Sequence, residues 1–140
     1  MLEKTFCMIK PDAVERGLTE KIQTRIKEAG LKILQSRLVH LTIEDAEKLY
    51  AVHKDKPFYD GLIKFIISGP AFLMQLEGED AIAKLRGLMG ATDPRKAAPG
   101  TIRGDLKEEN IFTAEGSIKN IIHGSDSSET AKYESSIFFD

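Results

Sequence analysis

His123 stands between an apolar pair, Ile121-Ile122, and the polar run Gly124-Ser125-Asp126. An imidazole is largely neutral near pH 7, so such a ring can attack phosphorus or act as a base. A histidine that closes an apolar strand and precedes Gly and a helix N-cap sits at the mouth of a site; the plainer alternative is an ordinary turn histidine. Glu134 follows eleven residues later in a helical stretch. A chain reversal would bring its carboxylate back to orient the imidazole, whereas spacing alone would leave it on a solvated face.

Cationic and donor groups accompany this pair. Arg103 lies in Gly100-Thr101-Ile102-Arg103-Gly104-Asp105, where an arginine between glycines is placed to clamp a phosphate bidentately. Arg86 ends a helix, where pairing with the helix dipole is the bland use. Lys10 closes the first strand before Pro11-Asp12 and points either into a cleft or into solvent. Thr92 and Asn120 could donate to phosphate or sugar, or merely serve turns. Phe58, after Lys56-Pro57, could stack on a base or plug the core. His40 and His53 lack such company and read as structural. No Gly precedes a Lys and no two glycines are spaced by two, so P-loop and dinucleotide cradles are excluded. There is no His-Glu-x-x-His, and Ser125 lacks the second Gly of a nucleophile elbow. What remains is a phosphate site without a P-loop.

The elements that must position these groups alternate. Thr5–Ile9 predicts a strand, closed by Lys10-Pro11. Leu18, Ile22, Ile26 and Ala29 recur at helical spacing and Gly30 stops them. Leu31–Leu41 predicts a strand, and Thr42 with Asp45 a helix start. Asp60–Ile67 reads as a helix, Ala71–Leu76 as a strand, and Glu79–Met89 as a helix that is acidic at its start. From Ala91 to about Ser117 breakers dominate, and a loop of that length is usually functional or disordered. Ile118–Ile122 predicts a short fourth strand, and Asp126 or Ser127 caps a last helix to about Ser136. Strands alternating with helices imply an α/β or α+β sandwich, with helices over one or both faces of a small sheet.

The bulk properties agree. The chain has 140 residues, 41% hydrophobic and 30% charged, which implies one globular domain over 1–140. A net charge of −2 gives no support to nucleic-acid or membrane binding by bulk charge. The single cysteine, Cys7, lies in Phe6-Cys7-Met8-Ile9 and reads as a small buried hydrophobe. Charges in Met1-Leu2-Glu3-Lys4 argue against a signal peptide, and Phe65–Leu76, broken by Ser68-Gly69-Pro70, is too short to cross a bilayer. A cytoplasmic protein is the expectation.

With Asn120-Ile121-Ile122-His123-Gly124-Ser125-Asp126-Ser127 on the page, the sequence resembles nucleoside diphosphate kinase. Four further blocks carry the resemblance, in order, along essentially the whole chain. They are Thr5–Asp12, Tyr50–Phe58 with Ser68-Gly69-Pro70, Met89–Pro94, and Pro99–Asp105. The resemblance implies a ferredoxin-like α/β sandwich (α+β): a four-stranded antiparallel sheet covered by helices. It implies ping-pong transfer of the γ-phosphate of a nucleoside triphosphate such as ATP to a nucleoside diphosphate, in support of NTP and dNTP synthesis. By motif position His123 is the phosphorylated nucleophile, supported by Glu134 and Ser125. Lys10, Tyr50, Arg86, Thr92, Arg103 and Asn120 match phosphate- and ribose-contacting positions, and Phe58 the ring that stacks on the base. The implied cofactor is Mg²⁺ held chiefly by the nucleotide phosphates, with no protein metal site. The implied assembly is a homo-oligomer, tetramer or hexamer, built from dimers. A catalytically silent nucleotide-binding scaffold of the same fold is the alternative. The chain departs from the resemblance between Arg103 and Asn120, where Leu106–Gly116 includes several residues more than the usual spacing. A smaller departure is Leu85, before Arg86, where bacterial members often have Asn.

Overall fold

The computed structural model describes residues 2–139; Met1 and Asp140, the ends of the expected domain, lie outside them. Four strands form one sheet in the order β2-β3-β1-β4: β1 (Leu2–Ile9), β2 (Lys32–Val39), β3 (Ala71–Glu79) and β4 (Ile122–Gly124). Every neighbouring pair is antiparallel. This is the expected four-stranded antiparallel sheet of an α+β fold. The central strand β1 is buried along Thr5–Ile9 and alternates its side chains between the two faces. Cys7 and Ile9 join one core cluster with Ile22, Ile26, Leu85 and Met89. Phe6 and Met8 join the other, with Leu49, Tyr50, Ile63, Ile66 and Phe138. Helices therefore cover both faces.

The helices form where their local chemistry allows. Seven α-helices are described: α1 (Pro11–Glu15), α2 (Thr19–Glu28), α3 (Ile43–Leu49), α4 (Tyr59–Ile66), α5 (Ala81–Met89), α6 (Ile102–Leu106) and α7 (Ser128–Phe138). Thr42 and Asp45 close a capping box at α3, as their spacing predicts, and Ser127 with Thr130 closes another at α7. Pro11 opens α1, a turn of helix where the sequence suggested only the end of a strand.

Three expected boundaries are corrected. Glu79 belongs to β3, and Asp80 turns the chain with φ 50° before α5 begins at Ala81. The acid at the start of α5 comes instead from β1, where Glu3 Oε1 accepts the Ile82 N–H at 2.9 Å. The fourth strand is Ile122–Gly124, not Ile118–Ile122, because the chain turns sharply at Ile121. The breaker-rich stretch after Ala91 is ordered by a 3₁₀ turn at Pro94–Lys96, by α6 capped by the Thr101 hydroxyl, and by a bridge between Phe112 and Ile118.

Candidate active site

His123 lies within β4, opposite Met8 of β1. Its Nε2 is 2.9 Å from Oε1 of Glu134, on α7. Ser125 donates to the same oxygen at 2.6 Å. The three form a line: Ser125 is 1% exposed, Glu134 7%, and the ring of His123 opens to the cleft. With the carboxylate on Nε2, the proton is held there, and Nδ1 presents its lone pair. The edge of the Tyr50 ring stands 5.9 Å from His123 at 77°, and Phe6 stands at 6.1 Å. These rings fix the imidazole from two sides.

Two close approaches put β4 in place. Gly124 packs where a Cβ would meet Met89 Sδ at 2.7 Å and Leu85 Cδ2 at 2.8 Å, so any larger residue would have to displace these α5 side chains for β4 to settle on α5. Just before β4, Ile122 N–H donates to the Asn120 carbonyl at 2.8 Å across Ile121, whose φ is 76°. That is a γ-turn of the strained hand, at a β-branched residue. It is held by a corner of chain more than a hundred residues away. Asp12 Oδ2 accepts the Ile121 N–H at 3.1 Å, and Lys10 N–H donates to the Ile121 carbonyl at 2.8 Å. Asp12, which sequence reasoning passed over, is 6% exposed, and burial raises its carboxyl above the ordinary range.

A cleft of about 570 Å³ gathers most of the remaining candidates: Lys10, Tyr50, Phe58, Arg86, Thr92, Arg103 and Asn120 line it with His123 and Glu134. Ser125 does not line it and acts from behind Glu134. Lys10 Nζ donates to Asn120 Oδ1 at 2.6 Å, and Asn120 Nδ2 donates to the Thr92 carbonyl at 3.1 Å. Burial, then the nearby Arg103, lowers Lys10 from 10.5 to about 8. Arg86 reaches the Gly124 carbonyl at 3.3 Å from the last turn of α5. The Tyr50 hydroxyl is buried without a protein partner, and burial pushes its ionisation up.

Arg103 is used differently from the free clamp its glycine neighbours suggest. Its Nε, Nη1 and Nη2 donate to the carbonyls of Asn120, Gly90 and Ile122 at 3.0, 3.0 and 2.6 Å. The guanidinium thus ties the loop after α5 to both sides of the γ-turn. Burial and the neighbouring Arg86 lower it to about 10. Five N–H donors leave two for a ligand. His53, read as structural from sequence, lines the cleft between Tyr50 (6.2 Å) and Phe58 (5.4 Å). No local signal marked it, because its company comes from a bend in the chain. His40 does stay away, with Nε2 2.6 Å from the Ile67 carbonyl oxygen. Among the described residues no group of three or more His, Cys, Asp or Glu stands together as a metal site, and no helix is long and apolar enough to cross a membrane.

Comparison with known proteins places this geometry. A family model described as nucleoside diphosphate kinase matches residues 3–140. Nucleoside diphosphate kinases of Paracidovorax citrulli and Thiobacillus denitrificans are each 51% identical over 138 residues, spanning 99% of this chain and 93% and 92% of theirs. The solved nucleoside diphosphate kinase of Halobacterium salinarum, in complex with CDP, superposes with a TM-score of 0.89 at 46% identity, covering 100% of this chain and 89% of that one. That of Borrelia burgdorferi, a transition-state mimic with vanadate and ADP, gives 0.92 at 35% identity over 99% and 88%. With the family model spanning nearly every residue and half of all positions shared with such kinases, the chain belongs to the nucleoside diphosphate kinase family.

Proposed function

We propose that His123 carries the migrating phosphoryl group when this kinase moves the γ-phosphate of a nucleoside triphosphate to a nucleoside diphosphate. The observation that supports the assignment is the Glu134 carboxylate on Nε2, which leaves the Nδ1 lone pair as the nucleophile. In the first half-reaction Nδ1 bonds to the γ-phosphorus as the bond from that phosphorus to the β–γ bridging oxygen breaks, and the diphosphate departs. In the second, a terminal oxygen of the incoming diphosphate bonds to phosphorus and the N–P bond breaks. Glu134 stabilises the positive charge that the ring acquires while phosphorylated, and Ser125 keeps Glu134 aimed.

Phosphoryl transfer depends mainly on positioning and charge neutralisation. Lys10 and Arg86 are proposed to meet the phosphates, with Arg103 contributing its two remaining donors. Asn120 accepts from Lys10 and donates to the Thr92 carbonyl, and Asn120 and Thr92 are proposed to contact the phosphates or the ribose. The unpartnered Tyr50 hydroxyl beside His123 is a donor available to phosphate. Phe58, 50% exposed in the cleft, is the ring for the base. Stacking tolerates any base, which suits an enzyme serving many nucleosides. The relatives solved with CDP and with ADP bind the same class of ligand.

Mg²⁺ is proposed as the cofactor. The cleft fits a metal that arrives on the nucleotide, since three cationic side chains line it and no acidic cluster stands there among the described residues. When bound, Mg²⁺ supplies further neutralisation of phosphate charge. We also propose a single domain over 1–140, a cytoplasmic location, and a homo-oligomer built from dimers. The last is supported by β2, an edge strand whose Leu38 is 62% exposed. Light scattering at micromolar chain concentration should give a mass at least twice that of the monomer.

The deciding experiment exposes the chain to γ-labelled ATP and Mg²⁺ and then to dTDP. An acid-labile phosphate on His123 that chases into dTTP is expected. Label taken up by His123→Ala at the wild-type level would overturn the nucleophile. Nucleotide binding without any exchange would instead identify a silent scaffold.

A further inference from the structure

One wall of the cleft is built by a single stretch of chain. It runs through α3, a 3₁₀ turn at Ala51–His53 and α4, and it supplies Tyr50, Val52, His53 and Phe58. Ala46, Leu49, Ile63 and Ile66 pack its two helices into the core beside Phe6 and Phe138. Between the helices little is buried: of residues 51–58 only His53 is not exposed. Among the described residues, and beyond the local bonds at its own ends, one hydrogen bond joins 43–66 to the rest of the fold. The Tyr133 hydroxyl donates to the Lys48 carbonyl at 2.6 Å. A stretch that buries little and bonds little to its surroundings opens at lower cost than the core.

Tyr133 meets a need that α3 cannot meet alone. The last carbonyls of a helix lack their regular partners, and Lys48 lies in the last turn of α3. The bond is to main chain, while the Lys48 side chain is turned to solvent and pairs with Glu44 at 3.5 Å. Tyr133 is the neighbour of Glu134 on α7, and successive side chains on a helix point about 100° apart. One therefore reaches α3 while the other reaches Nε2 of His123. Two residues beyond Lys48, Tyr50 presents its ring edge to the same imidazole at 5.9 Å. The contacts close a ring: His123 to Glu134, along α7 to Tyr133, across to Lys48, along the chain to Tyr50, and back to His123.

We propose that Tyr133 is a positioning residue for the nucleotide: its hydroxyl latches α3 to α7 and so holds Tyr50, with the stretch that carries Phe58, at a fixed spacing from His123 and Glu134. This rests on the reading of the cleft as the nucleotide site. Tyr133 itself does not line that cleft; it lines a separate shallow groove with Glu44, Glu47 and Lys48, so it acts through α3. Glu134 keeps its bond from Ser125, and α7 keeps its capping box, whether or not the hydroxyl is present. Loss of the hydroxyl therefore loosens the wall and not the partner of Nε2. The Lys48 carbonyl lies at the surface, where water replaces the hydroxyl, so global unfolding is little affected. Only molecules with the wall in place bind ADP at full strength, and apparent affinity falls with their fraction.

The test compares wild type, Tyr133→Phe and Lys48→Ala as full chains, by amide hydrogen exchange with and without ADP, by ADP calorimetry and by steady-state phosphate transfer. Tyr133→Phe removes the hydroxyl and keeps the ring. Its amides in 43–66 should exchange about fivefold faster while β1 and β3 keep their rates, and ADP should slow the same amides in both proteins. ADP should bind about two- to fivefold more weakly, with kcat within about twofold. Lys48→Ala should match wild type, because the acceptor is a main-chain carbonyl. Unchanged exchange in 43–66 for Tyr133→Phe, or faster exchange spread equally over β1 and β3, overturns the latch. So does faster local exchange with ADP affinity intact, which would make the bond merely structural. A fall in kcat with affinity kept overturns it too, since the hydroxyl would then act through Glu134. ADP binding that leaves 43–66 unprotected in wild type overturns the reading of the cleft itself, and the latch with it.

Discussion

Lys10 offers the most quantitative test. The residue is 6% exposed, with Asn120 Oδ1 as the acceptor of its ammonium at 2.6 Å and Arg103 as a repelling neighbour. Burial, then Arg103, takes it from 10.5 to about 8, against the weaker opposing pull of Asp12. At roughly 1.4 kcal/mol per pKa step, that fall corresponds to about 3 kcal/mol of unfavourable charge burial in the folded chain at neutral pH. The folded value lies below the unfolded one. Between pH 8 and 10.5 the unfolded chain therefore binds more protons, and this group makes stability rise with pH through that window. Urea denaturation of wild type and Lys10→Met at pH 7, 8, 9 and 10 isolates the effect, because every other titrating group is common to both. Wild type should gain on the variant by up to about 3 kcal/mol as pH rises, most of it above pH 8. Function should run the other way. Phosphate needs the ammonium, so kcat/KM for the diphosphate should fall above about pH 8, and the limb should move to higher pH in kcat, where bound phosphate favours the charged form. Parallel stability curves for the two proteins, together with a flat kcat/KM to pH 9, would falsify the account of Lys10 as a buried cation aimed at phosphate.

Three further outcomes follow from the site. Glu134→Gln should lower kcat by about 10- to 100-fold with nucleotide affinity largely kept, because the ring loses its charged partner but not its place; stopped-flow phosphorylation measures it. Asp12→Ala removes the acceptor for the Ile121 N–H and should cost about 1–3 kcal/mol of stability and slow transfer, as His123 loses its strained lead-in turn; equal stability by denaturation would mean the turn holds itself. Arg103→Lys keeps a charge but cannot reach three carbonyls in a fork, so it should cost about 2 kcal/mol or more. A drop in phosphate affinity with stability unchanged would show that ligand contact, not main-chain bonding, is its chief use.

The legible parts of the chain were those whose cause is local. Thr42 and Asp45 lie three residues apart and close their own capping box. Gly30 follows the periodic run of α2, and the β1 core is written as consecutive apolar residues that split between two faces. Of the ten candidate residues, nine line one cleft, and the tenth, Ser125, bonds to Glu134 behind it. Residue type limits chemistry wherever the residue ends up, so a histidine, two arginines and a lysine in polar or breaker-rich company could be collected before any geometry was known.

What the order of residues determined was therefore the inventory: which side chains can attack, neutralise or stack, and which of the longer, periodic segments are helix or strand. Only the tertiary structure decided their partners. Glu3 caps a helix that begins at Ala81, Asp12 holds the turn at Ile121, and Glu115, in the loop before β4, packs against Gly61. Arg103 was drawn from phosphate clamp toward main-chain tie by three carbonyls that converge on it. The physical reason is range. Propensity and capping act within a turn of helix or along one strand. A hydrogen bond across the fold, by contrast, forms only after packing has fixed both ends to within a few tenths of an ångström.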